Sequence, residues 1–193
     1  MPRLLILLFM TNLTVVVRTY ETTGVRSAVL DRARAGVDQM LNAVGIQPVW
    51  RSCATGLCTE PPMPSELEVR IAHATPSSPR DSLGSSAVDL FRQAGTLATI
   101  YQDRVQRLAL AAGVDEGQLL GRTMAHEVGH LLLGTATHAR TGLMRARWEV
   151  DELRRDRPLD WRFSSEEGSG MRWRLLERIS RPRTYKGKPF TAS

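Results

Sequence analysis

His126, Glu127 and His130 stand in Ala125-His126-Glu127-Val128-Gly129-His130, an H-E-x-x-H motif. On a helix the two histidines are one turn apart, so both rings project from one face and can hold one metal ion between them. Glu127 follows the first histidine directly, where its carboxylate can reach a water beside that ion and take its proton. A catalytic zinc keeps three protein ligands and one open position, so a third ligand is needed. His138 lies past Gly134, and Gly142-Leu143-Met144 follows. The stretch from His126 to Met144 therefore reads as a zinc peptidase site. His126, His130 and His138 are its expected ligands for one zinc ion, and Glu127 its general base.

Two histidines and a glutamate could instead be polar groups on a solvated helix face. The flanks argue against that. Leu119, Leu120, Met124 and Ala125 precede the motif, and Val128, Leu131, Leu132 and Leu133 are interleaved with it or follow it. So apolar a helix is buried, and buried His and Glu must be paired or ligated to offset desolvation. Three of the four histidines fall between His126 and His138. The competing third ligand is a carboxylate, as in thermolysin-like enzymes, with Glu149 and Glu152 at a suitable distance along the chain. Beside Arg154 and Arg155 these also read as a solvated acidic face. Gly129 costs helix stability, about 1 kcal/mol relative to alanine. Close approach of another backbone is the expected reason for it.

The motif resembles that of the metzincin metallopeptidases, and among them the compact archaemetzincin-like bacterial forms. Their pattern is H-E-x-x-H-x-x-G-x-x-H followed by a Met-turn. Here the glycine, Gly134, comes one residue later and the last histidine, His138, two residues later. Gly134 can end the helix in a left-handed conformation and turn the chain back. The resemblance implies a zincin-like fold, Met144 as a hydrophobic floor beneath the metal, and an edge strand along the substrate cleft. With Cys53 and Cys58 as the only cysteines, the cysteine-rich second zinc site of archaemetzincins is absent.

The 193 residues suit one domain with a sizeable core. Expected divisions are a truncated signal or leader segment at 1–13, a zinc-peptidase catalytic domain at 14–180 and a loose basic tail at 181–193. The pI of about 10.1 invites a nucleic-acid reading. However, residues 1–138 hold 12 basic and 12 acidic residues, so the excess of 14 over 8 in residues 139–193 carries the whole +6. No basic stripe interleaves with aromatics, and no nucleic-acid partner is expected. Arg3 and then Leu4 to Met10 resemble a signal peptide, without an Ala-x-Ala cleavage site and far too short to span a bilayer. A buried strand is the alternative. Cys53 and Cys58 suit one local disulfide in an exported protein. The expected location is secreted or periplasmic, otherwise cytoplasmic.

The elements that must position the site follow from periodicity. Strands are expected at Thr14–Tyr20, Ile46–Trp50, Leu67–Ala72 and Gly95–Tyr101. Helices are expected at Thr23–Ala43, Gln102–Ala112, from near Asp115 to Leu133, and from a Ser164/Glu167 capping box to about Ser180. Pro48 argues for a strand start or an edge. Trp148 to Trp161 should be irregular with a short helix, and His73 a surface histidine. The order implies an α+β fold, a twisted mixed sheet of about four strands backed by helices. Thr96–Tyr101 is the candidate for the edge that would pair with an extended peptide, an ordinary core strand being the alternative. The functional expectation is a zinc-dependent endopeptidase acting on a peptide or protein substrate. A catalytically silent, zinc-stabilised binding protein is the rival.

Overall fold

The computed structural model of the protein describes residues 13–53 and 57–180. Its mixed α+β fold is built on one five-stranded sheet. β1 (Leu13–Glu21), β2 (Ile46–Ser52), β3 (Glu66–Ala72) and β5 (Ala94–Tyr101) run parallel, and β4 (Gly84–Asp89) is antiparallel to β5; the order is β2-β1-β3-β5-β4. Parallel neighbours need a crossover, and α1 (Ser27–Asn42) supplies the one between β1 and β2. The remaining helices are α2 (Gln102–Ala112), α3 (Glu116–Leu133), α4 (Val150–Arg155) and α5 (Ser165–Ser180), with a 3₁₀ turn at Pro158–Trp161.

The strands alternate in character, so the sheet has one apolar and one polar face. Val15, Val17, Leu67, Val69, Ile71, Ala98 and Ile100 form the apolar side and are buried with Val37 and Leu41 of α1 and Leu119 and Leu120 of α3. On the polar side Arg18 and Glu66 form a buried ion pair. Arg51 also pairs with Glu66 at 3.0 Å, the Met63 N–H donates to Glu66 at 2.8 Å, and Arg18 donates to the Glu60 carbonyl at 2.6 Å. Desolvation pushes the Glu66 carboxyl up, but the Met63 N–H and the two guanidinium groups outweigh it and hold it below its ordinary value.

α3 is buried along almost its whole length, as its all-round apolar sequence requires. Asp115 caps its start by accepting from the Gln118 N–H at 2.8 Å. α5 begins in the Ser164/Glu167 capping box: Ser164 N–H donates to Glu167 at 2.7 Å and Glu167 N–H to Ser164 at 3.1 Å. Cys53 and Cys58 are joined in a disulfide. No helix among the described residues is long and apolar enough to cross a membrane.

Several expectations need correcting. The sheet has five strands; the fifth, β4, is rich in serine and glycine and carries no β-branched or aromatic run to announce it. Thr96–Tyr101 belongs to β5, which lies between β3 and β4, so the edge on that side is β4. At the other edge lies β2, with Pro48. α1 starts at Ser27 rather than Thr23: the Glu21 carboxylate accepts from the Thr23 N–H and hydroxyl and holds Thr23 outside the helix. Leu13, assigned to a leader, is the first residue of β1. Residues 1–12 and the tail at 181–193 lie outside the described residues.

Candidate active site

α3 delivers His126, Glu127 and His130 to one side of its last two turns. Gly134 then ends the helix at φ +65°, the left-handed conformation that favours glycine, and its N–H donates to the His130 carbonyl at 2.9 Å. The chain turns there and brings His138 back over the helix. The Ala139 N–H closes the following loop on the Met144 carbonyl at 2.9 Å.

The three rings converge through their Nε2 atoms. His130 Nε2 lies 3.1 Å from His126 Nε2 and 3.3 Å from His138 Nε2. Behind them, His126 Nδ1 lies 2.9 Å from the Leu143 carbonyl and His130 Nδ1 2.9 Å from the Thr135 carbonyl. A carbonyl only accepts, so each Nδ1 carries the proton and each of these two Nε2 atoms presents a lone pair. Lone pairs this close repel unless a cation lies among them. Tetrahedral zinc with nitrogen ligands at about 2.0–2.1 Å requires neighbouring nitrogens about 3.3–3.4 Å apart, close to these two separations, and the three ligand atoms all lie within 4.8 Å of one another, a set that could hold one metal ion. His126 and His130 are buried and His138 is exposed. Burial pulls the His126 imidazole down to about 4, partly offset by the Leu143 carbonyl and reinforced by the two other histidines. Burial likewise lowers His130, with His138 adding to it against the Thr135 carbonyl. Both rings are thus neutral at pH 7, the form that ligates metals.

Glu127 lies on the same helix with its carboxylate buried. Ser86 of β4 is 2.6 Å from Glu127 Oε2 and 2.9 Å from the Glu127 carbonyl, and donates to them. Burial raises the Glu127 carboxyl to about 7 against the opposing Ser86 hydrogen bond. Gly84 packs on the same side chain: a Cβ at that position would lie 2.8 Å from Glu127 Cγ and Oε1. A cleft of about 600 Å³ opens here, lined by the three histidines, Glu127, Ser86 and Trp148 among others.

Gly129 is explained by side chains rather than by another backbone. A Cβ there would lie 2.6 Å from Met144 Sδ and 2.8 Å from Phe163 Cε1. Met144 is thereby packed against the underside of the motif, and is itself buried. Glu149 and Glu152 serve α4: Glu152 accepts from the Glu149 N–H at 2.9 Å, completing a capping box, and pairs with Arg145. His73 is exposed just past β3 and does not line the cleft. Trp148 stands edge-on to His126, ring centroids 5.6 Å apart, and edge-on to Trp161 at 5.4 Å. Nothing in the sequence marks Trp148, Ser86 or Gly84 as part of the site. A lone Trp in a charged segment and two small residues in an unannounced strand give no periodic or spacing signal.

No family model and no curated protein matches the chain. Among solved structures, the fold is similar to that of archaemetzincin from Methanopyrus kandleri, with a TM-score of 0.52 and 14% sequence identity over 86% of this chain and 96% of that one. The likeness is one of fold, a mixed α+β architecture.

Proposed function

We propose that the protein is a zinc-dependent peptidase of the metzincin type, with His126, His130 and His138 as metal ligands, Glu127 as general base and Met144 as the Met-turn residue beneath the site. The observation that carries this reading is the convergence of three histidine Nε2 atoms, two of them fixed as lone-pair donors, beside a buried carboxylate. The similarity in fold to an archaemetzincin supports it. Zinc bound there supplies polarisation of the scissile carbonyl and a water whose pKa falls from about 15.7 toward 7. Glu127 takes the proton of the attacking water and delivers it to the leaving amine. The free edge of β4, in the wall of the cleft, is the place for an extended substrate backbone. Leu83 and Trp148 add apolar surface for its side chains. The disulfide favours an exported protein.

The test is metal content and peptide-library cleavage on the same preparations. His126→Ala and His130→Ala should lose zinc, and His138→Ala should weaken it, whereas Glu149→Ala and Glu152→Ala should keep it. Glu127→Gln should retain zinc and fold while hydrolysis falls by roughly 10²–10⁴-fold. Zinc-loaded wild type that cleaves nothing across the library would leave a zinc-stabilised binding protein.

A further inference from the structure

The buried Glu127 carboxylate receives a hydrogen bond from one donor among the described residues, the hydroxyl of Ser86. Ser86 is not on the metal-bearing helix. It sits on β4, 41 positions upstream, next to the irregularity between Ala87 and Val88, where the pairing of β4 with β5 shifts register. The register from Gly84 to Ala87 is regular. Residues two apart on a strand share a face, so Gly84 and Ser86 meet α3 together. Gly84 abuts Cγ, Cδ and Oε1 of Glu127, and Ser86 holds Oε2. One oxygen is pinned by a hydrogen bond and the other is fenced by backbone, which fixes the plane of the carboxylate.

We propose that Ser86 is the positioning residue for Glu127, so that the strand offering its edge to a substrate also aims the base. This deepens the peptidase reading and rests on it. An extended peptide paired with β4 would add hydrogen bonds to the strand that carries Ser86 and stiffen it. Occupancy of the edge and orientation of the carboxylate are thereby coupled through a single hydroxyl.

The experiment compares zinc-loaded wild type with Ser86→Ala, Ser86→Thr, Glu127→Gln and the Ser86→Ala/Glu127→Gln double variant. Zinc content, melting temperature, kcat and KM on a cleaved peptide are measured, together with calorimetric affinity for a peptide hydroxamate, whose N–OH gives its proton to a carboxylate beside the metal. Loss of a hydrogen bond to a charged group should lower kcat in Ser86→Ala roughly ten- to a hundredfold with KM little changed, and weaken the hydroxamate about tenfold. Ser86→Thr keeps the hydroxyl and should restore most of both. In the Glu127→Gln background Ser86→Ala should cost nothing further, because its effect runs through that carboxylate. Wild-type kcat and hydroxamate affinity in Ser86→Ala would overturn the proposal, as would an undiminished loss in the Glu127→Gln background. Wild type with no turnover at all would sink the peptidase reading, and the hydroxamate affinities alone would then decide the role of Ser86.

Discussion

Gly84 leaves no room for even one methyl group beside Glu127, since an added Cβ would come within 2.8 Å of Cγ and Oε1. Gly84→Ala should therefore push the carboxylate aside while leaving the histidines in place. The expected outcome is full zinc content, a stability loss of about 1–3 kcal/mol from overpacking and hydrolysis reduced by up to about a hundredfold from misplacement. Zinc content, unfolding midpoint and cleavage rate on one preparation check it; an unchanged rate would show that Gly84 does not constrain Glu127 in the proposed reaction. At this scale legibility in the sequence divides sharply. His126, Glu127, His130 and His138 stand together in the chain, and the apolar residues around them signal burial. Gly84 and Ser86 come from a distant strand, and their side chains are too small to reveal which neighbour they serve. The reason for Gly129 lay in Met144 and Phe163, contacts that depend on how the loop after α3 folds back.

Strands with a β-branched or alternating pattern were legible, and β4 was not. Leu67-Glu68-Val69-Arg70-Ile71 writes its two faces into the sequence, and β3 begins one residue before that run. Gly84-Ser85-Ser86-Ala87-Val88-Asp89 owes its strand conformation to pairing with β5, which local composition cannot report. Without β4, Thr96–Tyr101 reads equally well as an edge or as a core strand, and the sheet order makes it the latter. The polar face of the sheet yields a pH-dependent prediction. The Glu66 carboxyl is held below its ordinary value of 4.5 in the folded protein, so its contribution to stability is complete above about pH 4.5. That contribution declines as the pH falls through the folded value. Denaturant unfolding followed from pH 7 into this range should show the decline in wild type. Glu66→Gln should lack that component and be less stable at pH 7 by about 3–5 kcal/mol, because Arg18 is left buried without its anion. A variant with the wild-type acid slope would remove Glu66 from the account.

For the molecule as a whole, the element order from sequence matches the architecture apart from β4, because hydrophobic periodicity reports which face is buried. It does not report which strands become neighbours, and the order β2-β1-β3-β5-β4 follows from crossovers rather than local pattern. A ligand that binds only the folded chain stabilises it by mass action. Zinc at a thousand times its dissociation constant should add about 4 kcal/mol and raise Tm, and a chelator should reverse the shift. Scanning calorimetry with and without chelator checks this. No shift in wild type, or an equal shift in His126→Ala, would remove the three histidines as the stabilising site.

The converging histidines and the carbonyls behind them all come from residues 126–143, while the hydroxyl that holds Glu127 is 41 residues upstream. Short loops close faster than distant strands find their partners. During refolding the turn that brings the three histidines together can therefore assemble before the β4–β5 hairpin docks on α3. The chain would acquire its metal first and its competence later, and stopped-flow refolding in the presence of cobalt should record coordination colour ahead of recovered cleavage.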